Sequence, residues 1–376
     1  MCNLQFFRSV LALTAVSASM LANASTGYTA SVAPGGAYMG WQSINNFGDL
    51  AGGYSAYIGG QFSAPPATDW GATYYQSNVI NDKGVVGGTI GDHNSGYAIL
   101  SSKGSSVLLP SFNQSYNSFA SVTALNNVGQ GAGVASTTHR ISSHDGESIW
   151  SMHAFRTDGS TITDLGTLGG FESEANGINN KGEVVGWASL SDRTQHGFVT
   201  SGGKMVDLGG IAGANSDQAI DINDAGLIIG NADFGWSHNS YAYVHANGTS
   251  TLIETPNGFQ SKSSALNNYG QIVGRMWDRS RSYGFMYVNG QVIDLNTFID
   301  PAQGWSVEAA LDINDRGQIL TRACKNQGRS CTEMILSPDI LQSIPTPQVP
   351  EPATYAMMLT GLGMLAWSRR SKRQAK

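Results

Sequence analysis

Apolar positions along this chain follow two regimes. Between Trp41 and Pro338 they come in short runs, each soon interrupted by Gly, Asn, Asp or Ser, which is the pattern of short strands joined by tight turns. Near the two ends they gather instead into longer stretches, Val10–Leu21 and Tyr355–Trp367.

One motif punctuates the central region seven times: an aliphatic residue, Asn, Asn or Asp, any residue, Gly, and usually a second Gly four further on. Its first asparagines are Asn45, Asn81, Asn126, Asn179, Asn223, Asn267 and Asn314, spaced 36, 45, 53, 44, 44 and 47 residues apart. Asn and Asp favour turns and tolerate left-handed backbone, and Gly supplies positive φ, so each copy predicts a hairpin. Val184-Val185-Gly186, Ile228-Ile229-Gly230 and Ile272-Val273-Gly274 then read as return strands. A second strand pair lies between hairpins, clearest in His153-Ala154-Phe155 to Asp164-Leu165-Gly166, and again in His196-Gly197-Phe198 to Asp207, Tyr241-Ala242-Tyr243 to Glu254, and Tyr283-Gly284-Phe285 to Asp294. The in-register Asp164, Asp207, Asp294, His153 and His196 are expected to bond within their own units.

Four short strands in about 45 residues is the size of a propeller blade. The expected fold is all-β, a seven-bladed β-propeller over residues 25–340, with an open β-repeat solenoid as the alternative. Closure is expected from donation of the C-terminal strand Glu333–Leu336 to the first blade, which would remove exposed sheet edges. Cys324 and Cys331 flank a short Gly-containing turn and are expected to form a disulfide, stabilising by about 2–3 kcal/mol in the chain-entropy model.

The ends carry addresses. Residues 1–24 hold Arg8, the apolar run and the small-residue site Ala22-Asn23-Ala24, a secretory signal peptide expected to engage Sec-type export machinery. Residues 341–352 form a Pro-rich linker containing Pro350-Glu351-Pro352, and 353–376 a transmembrane helix followed by Arg369, Arg370, Lys372, Arg373 and Lys376. From Ala353 to Ser368 a helix rises roughly 24 Å against a hydrocarbon core of about 30 Å, which suits a transient inner-membrane anchor.

Pro-Glu-Pro, apolar helix and Arg cluster, in that order, resemble the PEP-CTERM sorting tail. The resemblance implies an exosortase as partner, with Pro350, Glu351, Pro352, Arg369 and Arg370 as the sorting motif. His153-Ala154-Phe155, Asp164-Leu165-Gly166-Thr167-Leu168-Gly169-Gly170 and Ile178–Gly186 resemble the extracellular HAF repeat, closely in that central unit and loosely elsewhere. That resemblance implies an exported repeat protein and brings no catalytic residues.

Six of the 21 Lys and Arg lie in the two ends, against one of the 27 Asp and Glu, so residues 25–350 carry a formal charge of −11. An acidic body without a basic stripe argues against nucleic acid as a partner. In antiparallel units the tight turns share one face and the longer loops the other, and such loops carry function more often. Trp70, His139, Arg140, His144, Trp150, Trp187, Trp236 and Trp277 fall in or beside them and are the candidate ligand-binding residues. Flat rings beside charged groups suit a sugar surface, the ring covering a pyranose face; rings wedged between blades as core are the competing reading.

His144, Asp145 and Glu147 fix no geometry as loop neighbours, and no nucleophile elbow, zinc helix or phosphate loop occurs. Catalytic residues, cofactor and metal are therefore expected to be none. The chain reads as a cell-surface or extracellular-matrix binding protein for polysaccharide. The alternatives are a polysaccharide-active hydrolase or lyase on the same scaffold and a structural matrix protein without a specific ligand.

Overall fold

The structure is a computed structural model that describes residues 27–35, 39–63, 72–92, 95–113, 115, 118–142, 148–235, 239–325, 328 and 330–339. The expected signal peptide, linker and membrane helix lie outside the described residues, as do Trp70, His144, Trp236 and the sorting motif. Among the described residues no helix is long and apolar enough to cross a membrane.

The fold is all-β. Among the described residues, five four-stranded antiparallel sheets accompany an eight-stranded one, which is two four-stranded units joined by a single parallel bridge, Gln195 to Ser216. In each unit the motif links first strand to second: Trp41–Ile44 to Leu50–Gly52, for example, or Ser216–Ile222 to Ile228–Phe234.

The motif's chemistry is only partly that of positive φ. The first Gly of every copy has φ between 70° and 106°, whereas the motif asparagines keep ordinary backbone and act through their side chains. Asn179 Oδ1 accepts from the N–H groups of Lys181 and Glu183, and the other copies repeat this, so the amide closes the turn. The second Gly is required by close approach. A Cβ on Gly186 would stand 1.9 Å from the Glu174 carbonyl oxygen, and on Gly133 1.9 Å from that of Ser121. Opposite this glycine sits the large residue of the third strand: Gly133 faces Phe155, Gly186 faces Phe198, Gly230 faces Tyr243 and Gly274 faces Phe285. All four rings are fully buried, a burial that stabilises by roughly 1.5–3 kcal/mol for a Phe.

Beside each ring the preceding residue is small, Ala154, Gly197, Ala242 or Gly284, because the next unit's first strand passes there. A Cβ on Gly284 would lie 2.7 Å from Val307 Cγ1. Recurrence of His-Ala-Phe-like triplets thus reflects sheet-to-sheet packing.

The last unit corrects the expected strand exchange. Its third strand, Ser330–Pro338, stays with its own sheet, and the fourth position is filled by the N-terminal strand Tyr28–Val32, with Ala30 opposite Leu336. The N-terminal segment therefore travels to the last unit. Buried Glu333 fixes it by accepting from the N–H groups of Met39 and Gly40, each at 3.1 Å, and Tyr28 stacks on Phe298 with centroids 4.4 Å apart. Cys324 and Cys331 face each other across the pair Ile319–Lys325 and Ser330–Pro338, joined as a disulfide.

Candidate functional site

The first strands of all seven units line one cavity of about 450 Å³. Each of these strands is bulged at the residue three before its motif asparagine: Gln42, Asn78, Thr123, Asn176, Ile220, Ser264 and Leu311. A bulge re-aims a side chain that a regular ladder would hold, and each of these seven residues lines the cavity.

At the turn end, two cycles of hydrogen bonds run from unit to unit. The Nδ2 of each motif asparagine donates to the carbonyl of the next, from Asn45 to Asn81 at 3.0 Å through to Asn314, which donates back to Asn45 at 2.8 Å. One residue on, the backbone N–H of Asn46, Asp82, Asn127, Asn180, Asp224, Asn268 and Asp315 each donates to the next side chain's Oδ1, with Asp315 returning to Asn46. In this second cycle no two aspartates are neighbours. Asp82 Oδ2 accepts amide N–H from both flanking asparagines, Asn46 and Asn127. The cycle satisfies its own donors and acceptors, which marks it as a clasp.

Two further carboxylates, Asp221 and Asp312, sit two residues before the motif asparagine in the fifth and seventh units. Asp221 accepts from its neighbour Ile222 N–H at 2.8 Å and from Leu266 N–H of the next unit at 3.0 Å. Asp312 does the same with Ile313 at 2.8 Å and Ile44 at 2.7 Å. Burial pushes Asp221 up to about 7 and Asp312 up to about 6, against the pull of these backbone donors. Both are partly exposed to the cavity, which tempers the effect. Since both oxygens of each are engaged, neither is presented as a general acid or base.

The second feature is a hairpin. Gly131–Ser142 and Ser148–Thr157 are 12 and 10 residues long, in the repeat with the widest spacing, and carry side chains well past the regular strands. Arg140 and Trp150 pair across it, the guanidinium 4.4 Å from the ring centroid. His139 stacks on Phe171 of the next unit at 5.6 Å and 13°, and Phe171 is 52% exposed.

The structure thus brings His139, Arg140 and Trp150 together on one hairpin. Trp187 and Trp277 are half-buried and serve their own sheets: Trp187 Nε1 donates to Glu174 Oε2 at 3.3 Å, and Arg275 covers Trp277 at 4.6 Å. Burial raises the Glu174 carboxyl above its ordinary range, although the Trp187 bond opposes this. His153 and His196 pair with Asp164 and Asp207 at 3.0 and 3.1 Å, and Asp294 caps the turn at Asn296, the within-unit bonding that their recurrence implied. Glu308 lies near both cysteines, but a disulfide offers no thiolate to a metal.

Sequence reasoning missed Asp221 and Asp312. The signal was available: both head the string Asp-Ile-Asn-Asp, at a position that is Ser43, Val79, Ala124, Gly177 and Ala265 in the other units.

Residues 348–373 match the PEP-CTERM protein-sorting motif, and residues 206–334 match a family described as protein of unknown function (DUF3466). No curated protein sequence matches the chain. Among solved structures it is similar to a puromycin-hydrolyzing peptidase of Mycobacterium tuberculosis, at 10% identity and TM-score 0.50 over 76% of this chain and 49% of that one. A puromycin hydrolase is similar at 14% identity and TM-score 0.50, over 75% and 47%. The β-propeller domain of the Trilobed protease from Pyrococcus furiosus is similar at 10% identity and TM-score 0.43, over 71% and 84%. The chain spans about half the length of the two puromycin-cleaving enzymes it resembles. The sorting motif makes this an exported protein of the exosortase-sorted type.

Proposed function

We propose that the chain is a closed seven-bladed β-propeller of HAF-type repeats, led out by a cleaved signal peptide and held briefly in the inner membrane by its tail. It then acts at the cell surface or in the extracellular matrix as a binding protein for polysaccharide. The hydrogen-bond cycle returning from Asn314 to Asn45 and the pairing of Tyr28–Val32 with Ser330–Pro338 support closure.

The observation that carries the binding reading is the extended hairpin, where Arg140 lies on Trp150 beside His139 and the exposed Phe171. Ring faces pack on sugar rings, and the Arg140 guanidinium and a His139 ring nitrogen hydrogen-bond hydroxyls or carboxylates. The mature protein, titrated with acidic and neutral bacterial polysaccharides, should bind at least one, and Trp150→Ala should weaken that binding at least tenfold with the melting temperature unchanged. Release of shortened products would favour an enzyme instead. Full affinity in Trp150→Ala would refute the hairpin as the site.

A further inference from the structure

The cavity has its own chemistry, set by the residue just before each motif asparagine. Asn126 N–H donates to Gln130 O, and Asn179 N–H to Glu183 O, so the alternation of an antiparallel ladder turns the N–H groups of Leu125 and Ile178 away from their partner strands, toward the cavity. In the other five units the equivalent N–H meets a side chain there. Asp221 takes those of Ile222 and Leu266, Asp312 takes those of Ile313 and Ile44, and Ser43 takes that of Ile80 at 3.4 Å.

Among the described residues no side chain accepts from Leu125 or Ile178 N–H. They belong to adjacent units, as Ile222 and Leu266 do, and the residue placed to bridge them is Ala124, whose methyl group cannot accept. The two N–H groups face the cavity side by side, so a guest that supplies an oxygen acceptor can take both. Asp82, Asp221, Asp224, Asp312 and Asp315 line the cavity, and among the described residues no Lys, Arg or His joins them, so an anionic guest is repelled. Its volume of about 450 Å³ lies within the range of about 300–1,000 Å³ for small-molecule sites.

We propose that this cavity binds one neutral sugar unit, with a carbonyl or hydroxyl oxygen of the sugar between the N–H groups of Leu125 and Ile178. Its hydroxyl donors then face Asp221, Asp312 and the Ser264 hydroxyl. The choice of a sugar among neutral guests rests on the polysaccharide reading above, while the donor pair stands without it.

The test uses the mature protein with glucose, N-acetylglucosamine and glucuronate as probes, read by saturation-transfer NMR and calorimetry. Ala124→Asp supplies a carboxylate where the fifth and seventh units have one. It should lose neutral-sugar affinity at least tenfold. Ala124→Ser, which captures one N–H as Ser43 does, should lose several-fold and serves if the Asp variant misfolds. Trp150→Ala should leave cavity affinity intact, which separates this site from the hairpin. Failure of both neutral sugars to bind, unchanged affinity in the Ala124 variants, or glucuronate binding as tight as glucose would each overturn the proposal.

Discussion

Asn314 Nδ2 lies 2.8 Å from the carbonyl oxygen of Asn45, a bond that joins the last turn motif to the first across 269 positions of sequence. The same side chain holds its own turn, Oδ1 accepting from Arg316 and Gln318 N–H, so one amide serves the hairpin and the cycle together. Asn314→Ala strands several buried partners at once. The expected loss is about 2–4 kcal/mol by denaturant titration, at about 1 kcal/mol or more per bond broken. Asn314→Asp keeps the acceptor but not the donor and should lose less.

The two glycines of the motif predict opposite sensitivities. Gly186→Ala drives a methyl group into the Glu174 carbonyl 1.9 Å away and should cost more than about 3 kcal/mol or prevent folding. Gly226 has φ of 83° but open space around it, so Gly226→Ala should cost only about 1 kcal/mol. Thermal melts of the two variants compare them directly.

Much of this fold was legible because the repeat is short and local: turn, return strand and strand pair fall within one unit. The order of units followed from chain order. What could not be read was anything whose partner lies a unit or more away. Tyr28–Val32 contains Thr29 and Ser31 and is mostly exposed, so nothing in its composition marks it as the outer strand of the last sheet. The motif asparagines read as turn formers, while their contacts with the next unit are made by carboxamides whose partners stand 36 to 53 residues ahead. For the hairpin, residue type located the cluster, and the pairing of Arg140 with Trp150 needed the register. The cavity's donors are backbone groups and leave no trace in residue type.

Asp221 and Asp312 give stability a pH dependence of definite sign. Their folded-state values, about 7 and about 6, lie above the ordinary 3.8, so the fold prefers them protonated. Stability from this source is fully present below about pH 4 and is lost as pH rises through 6 and 7. With partial exposure to the cavity, the loss between pH 5 and pH 8 should be on the order of 1–3 kcal/mol. Melting temperatures of the wild type and the Asp221→Asn, Asp312→Asn double variant over that range isolate it: the wild type should fall more steeply, and parallel curves would contradict the assignment.

The disulfide closes a short loop beside the strand that receives Tyr28–Val32. Replacing Cys324 and Cys331 by Ser should cost about 2 kcal/mol in the chain-entropy model, seen as a lower denaturation midpoint under oxidising conditions only. Under reducing conditions wild type and variant should converge.

The order of amides and carboxylates in the clasp sets a last prediction. Reading round the cycle, Asn46, Asp82, Asn127, Asn180, Asp224, Asn268 and Asp315 alternate except at one place, because an odd number of positions cannot alternate throughout. The break is filled by two asparagines, Asn127 and Asn180, which avoids setting two negative charges side by side. Asn180→Asp would create that arrangement, removing the N–H that Asn180 Nδ2 donates to Asp224 Oδ2 at 2.8 Å and placing a carboxylate against a carboxylate. A cost of about 1–3 kcal/mol at pH 7 is expected, shrinking with added salt as the repulsion is screened. Asp224→Asn should largely rescue the variant, since it removes one of the two charges and restores an amide donor; a double variant no more stable than Asn180→Asp alone would show that the alternation does not govern the clasp.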